Sequence, residues 1–256
     1  MAFTPLSAAT ENYFQNIRFI ATDMDGTLTH QGKFTQSLFQ AFDHLANQGI
    51  QVLIITGRSA GWVSGLVHYL PVVGAIAENG GLFYPAPSAV AQPLTPITDL
   101  VLHRQQLAEV FQRLQAKFPD LQESSDNRFR LTDWTFDVAG LTLAEIQQLA
   151  EHCQAWGWGF TYSTVQCHIK PLHQDKATGL LQVLKQHFPN YRPDQILTVG
   201  DSPNDESLFN TSQFPLSVGV ANVLAYADQL AHQPAYVTTA AEAAGFCELA
   251  KLITKG

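Results

Sequence analysis

Cysteine is scarce in this chain: three in 256 residues, at positions 153, 167 and 247, with no Cys-x-x-Cys pair. An odd count at wide spacing excludes a disulfide framework and a thiolate zinc site, and free thiols fit a reducing compartment. Positive charge is thin as well, with 14 Lys and Arg against 22 Asp and Glu, a formal net charge of −8. No basic run or basic stripe interleaved with aromatics occurs, which argues against nucleic acid as a partner. No apolar run approaches the ~18 residues of a membrane span. The opening MAFTPLSAATENYFQN lacks the basic and apolar regions of a secretory signal. Internal repeats and low-complexity tracts are missing too. These absences lead to the expectation of a soluble cytoplasmic protein with neither membrane nor nucleic-acid partners. What is present is 46% hydrophobic residues, enough for a real core in one large domain or two unequal ones. An acidic chain that handles an anionic substrate must do so with local positive groups: a metal, a lysine or helix N-termini.

The rest of the sequence is organised around residues 17–28, IRFIATDMDGTL. An apolar run with the length of a buried strand stops at an Asp-Gly turn signal. Asp23 and Asp25 sit two residues apart where that strand ends, and extended backbone would put both carboxylates on one side. Unit charges about 4 Å apart repel by roughly 4 kcal/mol at an effective dielectric of about 20. A sequence tolerates such a pair where a cation lies between them or where one acid is kept protonated for chemistry. A solvated turn is the bland alternative. Gly26 permits the sharp turn, and Thr27 is expected to hydrogen-bond locally.

Along the chain, helical spacing over 35–48 leads to a second buried strand, IQVLIIT at 50–56, ending in Thr56-Gly57-Arg58. A helix over 59–69 and a third strand over 72–77 follow, the latter ending in Glu78-Asn79-Gly80-Gly81. Alternating strands and helices with near-continuous apolar strands predict a parallel sheet covered on both faces. The pattern then changes. Helices are expected over 97–118 and 142–156, and strands over 121–125, 128–138, 160–163 and 165–170. Thr142 and Glu145 form a capping box. The change predicts a smaller antiparallel α+β unit over 83–170, inserted into a core of 1–82 and 171–256. The alternating order returns with a helix over 175–188, in whose first turn Lys176 lies. A strand over 195–199 then ends in GDSPND at 200–205, and a helix is expected over 223–231.

In an open parallel sheet, ligands bind outside the carboxyl ends of the strands, near the point where strand order reverses. Asp23 and Asp25, Thr56, and Asp201 and Asp205 should therefore meet on one edge. Carboxylates converging without His or Cys make an all-oxygen site, which favours Mg²⁺. Lys176 and the donors of Thr56-Gly57 suit a phosphoryl group. A carboxylate can itself be the nucleophile of an aspartyl-phosphate route, with a second acid serving as proton donor and then base.

DMDGTL at 23–28, TGR at 56–58, Lys176 and GDSPND at 200–205 resemble, in order, the four motifs of the haloacid dehalogenase superfamily. The insertion resembles its type IIB, or Cof-like, αββαββ cap. The resemblance implies a Rossmann-like, doubly wound α/β core and a Mg²⁺-dependent phosphatase acting on a small phosphorylated metabolite. A phosphosugar is the favoured class, by similarity to the sucrose-phosphate and mannosyl-phosphoglycerate phosphatases of this branch. It implies Asp23 as nucleophile and metal ligand, and Asp25 as acid and base that lends its backbone carbonyl to the metal. Thr56 and Lys176 would hold the phosphoryl oxygens, and Asp201 would complete the protein ligands with Asn204 and Asp205 supporting them. Gly57, Arg58 and Asn79 are candidates for substrate contact. In the cap, Arg128, Arg130, Trp134, His168 and Lys170 are candidates too, each weighed against a solvated or interior role. Alternatives are a phosphotransferase or phosphomutase with the same intermediate, or a non-catalytic phosphometabolite-binding protein. Oligomeric state is open between monomer and homodimer.

Overall fold

A computed structural model describes residues 3–9 and 13–254. Met1, Ala2, residues 10–12 and the last two residues of the expected core unit lie outside the described residues. Eight strands form the main sheet: β1 (Phe19–Thr22), β2 (Gln51–Ile55), β3 (Gly74–Ala77), β4 (Leu82–Pro85), β5 (Gln92–Pro93), β9 (Ile196–Gly200), β10 (Ser217–Gly219) and β11 (Tyr236–Val237). Their spatial order is β11-β10-β9-β1-β2-β3-β4-β5. Strand β1 pairs in parallel with both β2 and β9, so the chain leaves β1 first to one side and later to the other. That reversal creates the crevice at which α/β sheets bind ligands.

Period-2 geometry sorts the residues of β1 between two cores. Ile20 packs with Leu38 and Phe42 of α1 (Gln36–Asn47), Val63 of α2 (Ala60–Tyr69) and Phe246 of α6 (Glu242–Ile253). Phe19 and Ala21 pack on the opposite face with Ala177, Leu180 and Val183 of α5 (Lys176–His187). Asp23 continues the odd-numbered series and so leans toward α5. That helix starts with Lys176, one residue after its N-cap Asp175, whose carboxylate accepts from Thr178 N–H at 2.7 Å. An alternation of single residues thus decides which helix meets the carboxylate.

The remaining elements form a three-stranded antiparallel sheet, β6 (Trp134–Asp137), β7 (Gly159–Tyr162) and β8 (Gln166–Lys170), in the order β6-β8-β7. Helices α3 (Leu100–Gln115) and α4 (Leu143–Ala155) cover it, around a core that includes Leu107, Phe111, Phe136, Leu149 and Ile169. The expected capping box at Thr142 and Glu145 is present.

Four expectations are corrected here. Strand β4 extends the main sheet antiparallel to β3, and β5 antiparallel to β4, so the change of architecture comes about ten residues after position 83. Residues 121–125 contribute only a bridge between Glu123 and Phe136. Of the strand expected over 128–138 only 134–137 forms, preceded by a 3₁₀ turn at Asn127–Phe129. There the Asn127 side chain takes over ladder duty: its Oδ1 accepts from Thr135 N–H at 2.9 Å and its Nδ2 donates to Thr135 O at 2.7 Å. Short polar side chains compete with strand pairing in this way. The same shortening affects 223–231, where a 3₁₀ helix, Ala221–Tyr226, stands for the longer helix expected. Among the described residues no helix is long and apolar enough to cross a membrane.

Candidate active site

The ends of the parallel strands are in register. Thr22 lies beside Ile54 and Val199, and Gly200 beside Gly219, so Asp23, Thr56, Asp201 and Val220 all follow directly at one rim. Asp23, Asp201 and Asp205 are buried, and each offers an oxygen within 4.8 Å of those of the others. Lys176, fully buried, donates to Asp23 Oδ1 at 2.5 Å and to Asp205 Oδ1 at 2.6 Å. The second oxygen of Asp205 accepts from the backbone N–H groups of Asp201 and Ser202 at 2.9 and 3.1 Å. Asp205 is thereby spent on positioning. Asp201 accepts from Thr27 Oγ1 at 3.1 Å and from Asn222 Nδ2 at 2.7 Å. Asp23 Oδ2, by contrast, is buried with no hydrogen-bond partner among the described residues.

Three carboxylates face a single ammonium group here, which leaves an excess of negative charge away from water. Burial pushes Asp23 up to about 7 despite the attraction of Lys176, and burial together with the charges of Asp23 and Asp205 raises Asp201 well above its ordinary value. The opposite charges of Asp205 and Asp23 outweigh the burial of Lys176 and hold its ammonium firmly protonated. An all-oxygen, over-negative cluster with an orphaned oxygen is a fit for a hard divalent cation.

Gly26 is required where it stands. Its φ is +84°, and a Cβ there would lie 2.6 Å from Asp201 Oδ2. Gly80 is required for another reason: a Cβ would come within 2.1 Å of the carbonyl oxygen of Asp175 at the start of α5. Ahead of it, Glu78 and Asn79 also take positive φ, both 53°, a conformation uncommon for residues with side chains and frequent at functional sites.

The structure brings together most of the residues singled out from sequence. Thr56 is buried; its Oγ1 accepts from Arg58 N–H at 3.1 Å, leaving the hydroxyl proton to donate. Asn204 donates to Asn79 Oδ1 at 3.0 Å, while Asn79 Nδ2 is buried without a partner among the described residues. Asp25 departs from the expected pairing with Asp23, because Arg58 grips both of its oxygens at 2.8 and 2.6 Å. Arg58 in turn lies over the Trp62 ring at 5.5 Å.

Of the candidates from the inserted unit, most are committed elsewhere. Arg104 sits over the Trp134 ring, Arg128 over Phe129, and Lys170 donates to the carbonyl of Gln174. Arg130 is fully engaged with Asp126, Asp133, Gln166 and the carbonyl of Gly57. His168 is the exception, lining the small cavity shared with Asp23, Asp25, Thr56 and Arg58.

Sequence reasoning missed Asn222, gave Thr27 only a local bond, and placed Glu78 at the end of the third strand without a role. Asn222 carried a usable signal: it follows a buried strand end, SVGVAN, by the same rule that exposed the other clusters. Glu78 was marked by its strand end, but its bonds to Ala60 and Thr132 were not, since they depend on a left-handed backbone.

Comparison with known proteins bears on the fold and the family. The fold resembles a Thermoplasma acidophilum crystal structure with a TM-score of 0.74 at 20% identity, over 93% of this chain and 98% of that one. It also resembles a Synechocystis sucrose-phosphatase in complex with sucrose and phosphate, with a TM-score of 0.66 at 21% identity, over 93% and 98%. In sequence the chain is 27% identical to a phosphoglycolate phosphatase of Staphylothermus marinus, over 93% of this chain and 98% of the relative. Fold and site together define a haloacid dehalogenase superfamily phosphatase of the Cof-like type. Within it, residues 16–251 match the model of the sucrose-6F-phosphate phosphohydrolase family, and the chain belongs to that family.

Proposed function

We propose that the protein is a Mg²⁺-dependent phosphatase that hydrolyses a small phosphosugar through an aspartyl-phosphate on Asp23. The observation that carries this reading is the half-satisfied carboxylate of Asp23. Lys176 fixes one oxygen at 2.5 Å, and the other is buried, unpaired and directed to no protein donor. Asp23, Asp201 and the backbone carbonyl of Asp25 would hold the ion, with Asn204 and Asp205 behind them. When bound, Mg²⁺ supplies charge neutralisation between carboxylate and phosphoryl oxygens.

The chain's own groups account for the other demands of the reaction. Lys176 orients Asp23 and offsets charge on the transferring group. Thr56 Oγ–H and the backbone around Gly57 donate to the phosphoryl oxygens, as oxyanion donors do. Asp25 protonates the leaving oxygen and then takes a proton from the attacking water. Because Arg58 grips both Asp25 oxygens, that step requires the grip to open when a phosphoryl group offers Arg58 another anion. Residues 94–170 act as the cap, and Glu78 clasps them to the core. Its carboxylate accepts from Ala60 N–H at 2.8 Å on one side and from Thr132 N–H at 2.6 Å and Thr132 Oγ1 at 2.7 Å on the other.

The phosphosugar reading follows the family whose model the chain matches, whereas the curated relatives named phosphoglycolate phosphatase make that compact ester the competing substrate. Two assays decide. Asp23→Asn with Mg²⁺ and an aryl phosphate should lose activity about 10⁴-fold or more, as loss of a nucleophile does; retained turnover removes the assignment. A phosphometabolite panel ranked by kcat/KM should place sugar phosphates first.

A further inference from the structure

One of the buried side chains that the cap brings to the reaction centre, His168, keeps a ring nitrogen without a hydrogen-bond partner among the described residues. His168 lies on β8 and is only 1% exposed. Its Nδ1 is 2.8 Å from Asp133 Oδ2. Asp133 is itself fully buried, with Arg130 donating to both of its oxygens at 3.0 and 3.1 Å. Burial works to raise the Asp133 carboxyl, but Arg130 and His168 outweigh it and hold it below its ordinary range. An ionised carboxylate can only accept, so Nδ1 of His168 carries the proton. Burial, reinforced by the charges of Arg130 and Lys176, keeps the imidazole below its ordinary value despite Asp133. The ring is therefore neutral, and Nε2 presents a lone pair.

That lone pair has no hydrogen-bond partner among the described residues, and its surroundings are the phosphoryl-binding groups. A Cβ built on Gly57 would lie 3.2 Å from His168 Nε2 and 3.2 Å from Asn79 Nδ2. The cavity that His168 shares with Asp23, Asp25 and Thr56 measures only about 20 Å³, room for about one water. A phosphate ester held at Asp23 and Thr56 beneath the closed cap would have Nε2 of His168 among the few polar atoms facing it. A lone pair fixed by Asp133 accepts a hydroxyl hydrogen and repels a carboxylate.

We propose that His168 Nε2 accepts a hydrogen bond from a hydroxyl of the leaving alcohol, which makes His168 the cap's specificity-determining residue for hydroxylated over carboxylated phosphate monoesters. The proposal rests on the Asp23-centred phosphatase reading and names the substrate class of that same site. Asp133 and Arg130 are its positioning residues: Asp133 fixes the tautomer, and Arg130, which holds Asp133, donates to the carbonyl of Gly57 at 2.9 Å.

The test compares wild type, His168→Leu and His168→Gln with Mg²⁺ on four esters: glucose 6-phosphate, glycerol 3-phosphate, phosphoglycolate and p-nitrophenyl phosphate. Wild type should prefer the two hydroxylated esters to phosphoglycolate. His168→Leu should lose about tenfold more kcat/KM on the hydroxylated esters than on p-nitrophenyl phosphate, chiefly through KM, the size expected for one buried hydrogen bond. His168→Gln, which keeps an acceptor near the same position, should recover a good part of that selectivity. Preference of the wild type for phosphoglycolate overturns the proposal, as does an equal loss on all four esters in His168→Leu. Either result leaves the phosphatase reading standing as long as p-nitrophenyl phosphate is cleaved. Failure to cleave any ester takes both down.

Discussion

Two buried clusters of charge lie on either side of the cavity, and they are built to opposite rules. In the cap, Arg130 spends its donors on Asp126, Asp133, Gln166 and the carbonyl of Gly57, and Asp133 has both oxygens occupied. In the core, three carboxylates share one lysine, and Asp23 Oδ2 has nothing to accept from. A satisfied buried network rigidifies; an unsatisfied one is costly unless a ligand completes it. The cap cluster therefore reads as scaffolding that aims a single side chain, His168. The core cluster is the part that waits for a partner. Sequence marks the core cluster by its place at strand ends, but not which of the two clusters has its bonds satisfied.

Substitution in each cluster should show the difference, with the largest effect in the core. Asp23→Asn, expected to remove most turnover, should leave thermal stability unchanged or raised, because it relieves an over-negative cluster. A calorimetric or spectroscopic melt beside the activity assay reads both at once, and a large drop in Tm would turn Asp23 into a structural residue. Arg130→Met should do the reverse. It strands Asp133, which is fully buried, at a cost of about 3–5 kcal/mol in stability. Denaturant unfolding measures this, and an unchanged midpoint would mean that the cap network holds little.

How much of this was legible beforehand follows from the same contrast. Strands β1, β2 and β9 are buried on both faces, so their sequences are continuous apolar runs with abrupt polar ends, and Asp23, Thr56 and Asp201 stood out at once. Lys176 was readable because a helix beginning there must cover that sheet. Asp25's partner was not, since Arg58 joins it through side-chain reach rather than strand position. The cap was read less well because its strands are short and half-buried. The side chain of Asn127 there forms bonds that a ladder would otherwise make, so an alternating pattern overstated the strand. Glu78 was placed beside the site by its strand end, but its clasping role was not legible, because a left-handed backbone at a non-glycine residue leaves no mark in the sequence.

A divalent ion should separate the clusters further, with an intermediate effect. Saturating Mg²⁺ at about 100 times its dissociation constant should stabilise the fold by about 2.7 kcal/mol, read as a rise in Tm after chelator treatment. Asp201→Asn should abolish most of that rise, whereas Asp126→Asn in the cap should keep it. An equal rise in both variants would move the ion away from the strand ends.

The smallest effect is one of pH, and its sign follows from the burial of Asp23. Its carboxyl is raised to about 7 in the folded, metal-free protein, whereas an unfolded Asp titrates near 3.9. Between those values the folded state holds a proton that the unfolded state has lost, so stability falls as pH rises toward and through about 7. Glu78, which burial and the charge of Asp133 also push up to about 7, contributes in the same direction. The slope should stay below about 1.4 kcal/mol per pH unit for each proton involved. Denaturant titrations of chelated protein at pH 5, 6, 7 and 8 measure it. Asp23→Asn should flatten the curve in part, and Mg²⁺ should flatten it in the wild type, because each removes the folded state's reason to keep that proton. A wild-type curve that climbs across this range would show that the cluster already carries enough positive charge to stay ionised, and the contrast between the two clusters would then be one of geometry alone.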